Sequence, residues 1–208
     1  MNVLVFGSTG PTGRQLVDQA LARGHRVTAF ARTPAKLDLQ HDQLTIAQGD
    51  ATDPDAVART LAEQDAVLCA IGAPGLDKSR IRARATRVIV DAMRDAAVKR
   101  LVCLSALGVA DSRAALPLSL KIIIPLLLRH AFADHEEQER ILKDSALDWT
   151  VVRPPYLTNG PRTANYQHGF TTRPAGAKLR ISRADVADFM LNQLEDDTYL
   201  RRAAAVTT

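Results

Sequence analysis

The chain has 208 residues, 46% of them hydrophobic and 24% charged, with a net charge of +4. This balance suits one α/β domain with a sizeable core and excludes a disordered or fibrous chain. With only 4% aromatic residues and so mild a positive charge, no nucleic-acid partner is expected, whereas an anionic small molecule fits.

The first strand, Asn2-Val3-Leu4-Val5-Phe6, runs directly into Gly7-Ser8-Thr9-Gly10-Pro11-Thr12-Gly13. A helix follows from Pro11 to Arg23 and ends at Gly24. Glycines spaced three apart between a strand and a helix make a phosphate cradle. Without side chains, the backbone approaches a pyrophosphate closely, and the helix N-terminus adds free N–H groups and partial positive charge. With no ligand, the same residues would be a tight turn. The chain enters its first strand at once, so no signal peptide is expected and a cytoplasmic location follows.

Strand two, Arg26–Ala31, is followed by Arg32 and, four residues on, Lys36. NAD sites usually place a carboxylate here, and none occurs before Asp38. The two cations suit the 2′-phosphate of NADPH or NADP+; the alternative is solvated surface charge. Strand three, Leu44–Ala47, leads to Gly49-Asp50, where Asp50 either reaches an adenine edge or forms a turn. Asp53-Pro54 opens the next helix with a capping side chain and a proline at the first helical position. Strand four, Ala66–Ile71, contains Ala70 and ends at Gly72, beside the expected ribose and pyrophosphate. A long helix spans Ser79 to Lys99. Its Arg80, Arg84 and Arg87 meet phosphate or form a solvated basic face. Strand five is Leu101–Ser105. Cys69 and Cys103, alone in apolar runs, read as free buried thiols.

Helical segments are expected from Leu116 to Lys143, broken at Pro125. The apolar stretch Leu116–Leu128 is too short and too interrupted to span a membrane, so no membrane partner is expected. It is core, a lid or a dimer surface, which leaves monomer and homodimer both open. His135-Glu136-Glu137-Gln138-Glu139 begins like a zinc-protease helix, but Glu139 stands where the second histidine belongs, and no metal is expected. His130, His135 and the nearby acids read as a wet helix face, with His135 lining the pocket as the alternative. Strand six is Trp149–Arg153, with Trp149 in the core. Irregular chain covers Pro154 to Ala177, Ser182-Arg183-Ala184-Asp185 reads as a capping box, and Ala203–Val206 as a last edge strand.

Alternating strands and helices predict a Rossmann-type α/β fold. A doubly wound parallel sheet carries helices on both faces, in one domain over residues 1–208 with a small C-terminal substrate region. Residues 112–144 and 154–180 are expected to line the substrate side. Ligands of such sheets bind beyond the carboxyl ends of the strands. The candidates are therefore Gly7–Gly13, Arg32, Asp50, Ala70, Gly72, Ser105 and Pro154–Tyr156.

The glycine motif, Arg32, Gly49-Asp50, Leu104-Ser105-Ala106 and Leu147-Asp148-Trp149-Thr150-Val151-Val152-Arg153-Pro154-Pro155 together resemble the atypical short-chain dehydrogenase/reductase superfamily. Within it the chain looks most like the small NAD(P)H-binding group of biliverdin-IXβ and flavin reductases, with NmrA-like redox sensors more distant. The resemblance implies NADPH as cofactor. It implies a flavin, a quinone or a biliverdin-like tetrapyrrole as hydride acceptor, with Ser105 near nicotinamide and substrate. Tyr156 takes the place of a histidine in that group and is the second catalytic candidate.

The superfamily's carbonyl chemistry relies on a Tyr-x-x-x-Lys pair, in which the lysine lowers the tyrosine pKa. Four residues after Tyr156, Tyr166 and Tyr199 stand Gly160, Phe170 and Ala203, so the pair is absent. Flat conjugated acceptors need less help, because they spread the charge that hydride brings. The expected activity is reduction of such acceptors. The alternative is a non-catalytic NADP(H)-binding redox sensor, and a nucleotide-sugar epimerase is disfavoured.

Overall fold

Val3 and Val5 of β1 (Asn2–Phe6) enter one apolar core, and Leu4 and Phe6 enter another on the opposite side. A strand buried on both faces must lie inside a sheet covered by helices. The computed structural model describes residues 1–73, 77–117, 121 and 128–208, and in them β1 is such a strand. It pairs in parallel with β2 (Arg26–Ala31) and β4 (Ala66–Cys69). Beyond these lie β3 (Leu44–Gln48) on one side and β5 (Arg100–Leu104) and β6 (Asp148–Arg153) on the other. The order β3-β2-β1-β4-β5-β6-β10-β8 reverses direction between β1 and β4, which opens a crevice above their carboxyl ends.

α1 (Pro11–Ala22) and α5 (Arg183–Asn192) cover one face through Leu16, Val17, Val186 and Phe189. α2 (Pro54–Leu61), α3 (Ile81–Asp95) and α4 (Arg129–Lys143) cover the other through Val57, Ile89, Met93 and Leu142. Trp149 packs into this second core. Asp53 caps α2 as expected, its carboxylate accepting from the N–H groups of Asp55 at 3.0 Å and Ala56 at 3.3 Å.

Several sequence expectations need correction. The last strand, β10 (Arg202–Thr207), is interior: it pairs in parallel with β6 and antiparallel with β8 (Gln167–His168). Its small side chains, Ala203-Ala204-Ala205, gave no hint of a second neighbour. The stretch expected to be irregular holds β8 and also β7 (Tyr156–Thr158), which pairs with β9 (Arg180–Ser182). α3 begins at Ile81 because Arg80 sits in the left-handed region at φ 53°. Ahead of α4, residues Ala110–Ala115 form a short 3-10 turn, and most of the apolar stretch expected to be core, lid or dimer surface lies outside the described residues.

Ser182 supplies half of the expected capping box, accepting from the Asp185 N–H at 2.9 Å. Asp185 does not return the bond. Its buried carboxylate takes the N–H groups of Thr163 at 2.6 Å and Ala164 at 2.9 Å, and the Thr163 hydroxyl at 3.0 Å. This pins the 160s loop to α5. Hydrogen bonds to a charged acceptor outweigh one helix cap, so Asp185→Ala should cost about 3 kcal/mol and Asp53→Ala about 1 kcal/mol. Urea unfolding of the two variants checks the ranking.

Candidate functional site

Gly7 sits at φ +76°, and a Cβ there would lie 2.4 Å from the carbonyl oxygen of Ala70. A Cβ on Gly13 would lie 2.0 Å from the carbonyl oxygen of Gly7. β1, α1 and the end of β4 therefore meet backbone against backbone, which only glycine permits. Gly10 closes the turn by donating to the Gly7 carbonyl at 2.9 Å. No side chain caps the first turn of α1, Pro11 opens it, and it holds no acid. Its free N–H groups and the positive end of the helix dipole are left for an anion. A bare, glycine-walled helix start of this kind fits the pyrophosphate of a dinucleotide.

A cleft of about 590 Å³ runs along the carboxyl ends of the strands. Gly7, Thr9, Gly10, Pro11 and Thr12 line its middle, with Ala70 and Gly72 beside them. Arg32 and Asp50 stand at the β2–β3 end, and Ser105 and Pro154 at the β5–β6 end. Asp50 is fixed by the Thr52 N–H at 2.8 Å and hydroxyl at 2.7 Å. These bonds, aided by the fields of Arg32 and Arg84, hold its pKa below the ordinary value. Arg32 is exposed and pairs with no carboxylate among the described residues.

Four of the residues singled out in the sequence lie off the cleft wall. Ser8 is buried and donates to the Phe30 carbonyl at 2.8 Å. Gly13 packs against Gly7. Lys36 contributes its backbone carbonyl, which holds the Arg14 guanidinium. Tyr156 is 75% exposed. Its neighbour Leu157 faces the cleft, and alternation along β7 turns Tyr156 to the other side. The remaining tyrosines are engaged elsewhere: Tyr166 donates to Asp188 at 2.7 Å, and Tyr199 pairs with His168 at 2.7 Å.

The β5–β6 end is polar, with Ser105, Glu139 and Arg153 buried. The Ser105 N–H extends the ladder by donating to the Val152 carbonyl at 2.7 Å, which sets Ser105 beside Arg153. The Ser105 hydroxyl donates to Glu139 at 2.7 Å. Glu139 also accepts from Arg153, at 2.9 Å from Nε and 2.6 Å from Nη2, and the third Arg153 nitrogen reaches Asp111 at 2.8 Å. Burial works against the Arg153 charge, but Glu139 and Asp111 more than offset it, so its pKa is raised. A serine hydroxyl at a strand end can donate to a ligand or to the backbone. In the structure Glu139 takes that proton, and Ser105 presents lone pairs instead.

Of the expected wet face of α4, His130 and Glu136 are exposed, whereas Asp134, His135 and Glu139 are buried. The Asp134 carboxylate caps α3 from 51 positions away, accepting from the N–H groups of Ala83 at 2.9 Å and Arg82 at 3.2 Å. This replaces a local cap, which α3 lacks. His135 lines the cleft, and its Nδ1 meets the Gln138 amide oxygen at 3.2 Å. Burial, with the nearby Arg82 charge, pushes the His135 pKa down to about 4. The spacing of four between His135 and Glu139 was the one signal in the sequence that both share a face. No group of three or more His, Cys, Asp or Glu among the described residues could hold a metal ion. No helix among them is long and apolar enough to cross a membrane.

Residues 7–197 match the NAD(P)H-binding family. The chain belongs to that family. It is 27% identical to the reductase pytE of Aspergillus terreus, covering 99% of this chain and 97% of that protein. It is 33% identical to a chloroplastic protein of Arabidopsis thaliana over 78% of this chain, and the match spans 61% of that relative's length. Among solved structures, the anaerobilin reductase ChuY of Escherichia coli O157:H7 superposes with a TM-score of 0.80 at 23% identity, covering 99% of this chain and 96% of that one. A short-chain dehydrogenase/reductase of Veillonella parvula, solved with NADP, superposes with a TM-score of 0.80 at 20% identity, covering 100% and 94%. These structures share the Rossmann-like fold of this NAD(P)H-binding protein.

The buried histidine has a consequence for stability. Folded, His135 takes a proton only near pH 4; unfolded, it does so near 6.5. Between those values the unfolded chain binds more protons, so stability rises with pH and falls on acidification from 6.5 to 4. The expected loss is about 3 kcal/mol. Unfolding of His135→Gln across that window should show a flatter profile than the parent.

Proposed function

We propose that this protein is an NADPH-dependent reductase that delivers hydride to a flat, conjugated acceptor such as a flavin, a quinone or a biliverdin-like tetrapyrrole. The observation that carries this reading is a glycine-walled helix start opening on a cleft with an unpaired cation at one end and no phenol at the other. When bound, the nicotinamide supplies the hydride. The chain's own residues bind and orient. The first turn of α1 holds the pyrophosphate. Arg32 takes the 2′-phosphate in a charge-assisted contact, without Lys36. Asp50, already satisfied on one oxygen by Thr52, offers the other to the adenine edge. Gly72 leaves room for the ribose.

Ser105, with Pro154 and Leu157, holds the nicotinamide and the acceptor face to face. From the stretches 112–144 and 154–180, His135, Pro154, Pro155 and Leu157 form the acceptor side. A simple ketone needs a proton donor at its oxygen as hydride arrives, and Tyr156, Tyr166 and Tyr199 all lie elsewhere. A conjugated acceptor spreads that charge and takes its proton from solvent. The names of the Aspergillus reductase and the anaerobilin reductase support a reductase of this kind.

Arg32→Glu should raise the KM for NADPH at least about tenfold more than the KM for NADH. Equal effects in steady-state kinetics would remove Arg32 from cofactor selection. NADPH oxidation should be strong with FMN or menadione and negligible with cyclohexanone. Efficient reversible oxidation of a secondary alcohol would overturn the assignment. Tight NADPH binding without turnover of any flavin, quinone or biliverdin would favour a redox sensor instead.

A further inference from the structure

The proton inventory around His135 is closed. The Cys103 thiol turns to the Leu104 carbonyl at 3.9 Å. Thr86 Oγ1 and Cys103 Sγ accept from the Gln138 amide nitrogen, at 3.1 Å and 3.2 Å. The Gln138 amide is thereby oriented, and its oxygen faces His135 Nδ1. An amide oxygen only accepts, so the Nδ1 of the neutral ring carries the proton and Nε2 carries a lone pair. Nε2 has no protein partner among the described residues and is not sealed from the cleft.

Ser105 is in the same position. Its proton is held by Glu139, which also accepts from Arg153, so its oxygen faces the cleft as an acceptor. Next to His135 stands Arg82, which also lines the cleft. Its Nη1 is tied to Asp134 at 3.2 Å, its Nε is buried without a partner, and its Nη2 bonds no protein atom among the described residues. The acceptor side of the cleft thus offers two lone pairs with a cationic donor beside one of them.

We infer that this wall recognises an imide or lactam edge, with the ligand N–H donating to His135 Nε2 and the adjacent carbonyl accepting from Arg82. This rests on the reductase reading and narrows it. Flavins and lactam-bearing tetrapyrroles carry such an edge. Quinones offer carbonyls alone and leave the His135 lone pair unmatched in a largely buried wall. A site built to pair with an N–H discriminates strongly against the analogue that lacks it, because its own polar group is left unsatisfied.

The probes are lumiflavin and its N3-methyl derivative, which lacks only the imide N–H. Binding is read by flavin fluorescence quenching with NADP+ present, and turnover by NADPH oxidation. Lumiflavin should bind at least about tenfold tighter than the methylated ring. His135→Phe should bring that ratio close to one, and His135→Gln, whose amide oxygen reaches the same place, should keep part of it. Equal affinity of the parent protein for both rings overturns the inference. So does a ratio unmoved by His135→Phe, or menadione turnover with no flavin binding, which would leave the reductase reading intact. A preserved preference without any turnover supports edge recognition and removes the reductase reading.

Discussion

Three segments of chain meet at Gly7 with no side chain between them, and the rest of the site is arranged around that contact. The carbonyl of Ala70 and the start of α1 occupy the space that side chains on Gly7 and Gly13 would fill. Because β1 and β4 are neighbours in the sheet, this packing brings the helix start to the point where the strand order reverses. A helix end left bare costs stability unless something satisfies its N–H groups. Here neither a capping side chain nor an acid does so, so the fold tolerates an unmet demand where an anion meets it best.

The second constraint is the buried charge at the β5–β6 end. The side chains of Glu139 and Arg153 are 2% and 3% exposed. Removing such charges from water costs several kcal/mol each, and their attraction recovers this only when every donor and acceptor is used. The network meets that condition through Ser105, Asp111 and paired contacts between the two charged groups. Its effect is chiefly geometric. It fixes the direction of the Ser105 proton, the angle of α4 against the sheet, and through Asp134 the start of α3.

Local rules make some of this legible in the sequence. β1, its glycines and α1 are adjacent in the chain, and their periods and turn residues announce them. So do the Asp53 cap and the strands buried on both faces. The α4 face was misjudged because a run such as His135-Glu136-Glu137-Gln138-Glu139 looks solvated by composition. What buries it lies far away: Thr86 and Cys103 for Gln138, Arg153 for Glu139, and the open end of α3 for Asp134. The same reason hid the interior position of β10, since an alanine-rich strand says nothing about its neighbours. Tyr156 was one residue out of phase with the cleft, a distinction that the pleat of a short, late strand decides.

The cleft has two ends with opposite physical character, and this divides the work of recognition. At the β2–β3 end Arg32 is exposed, so on the proposed reading its attraction for a phosphate is screened by water and salt and selects between cofactors more than it anchors them. On that reading, anchoring falls to the backbone of the glycine turn. At the β5–β6 end Ser105, Glu139 and Arg153 are buried and bonded to one another. An unmatched ligand atom there pays a full desolvation penalty. On the proposed reading, cofactor choice therefore rests on a replaceable surface charge, whereas acceptor choice rests on a buried network that cannot be altered at one residue without disturbing the helices on that face.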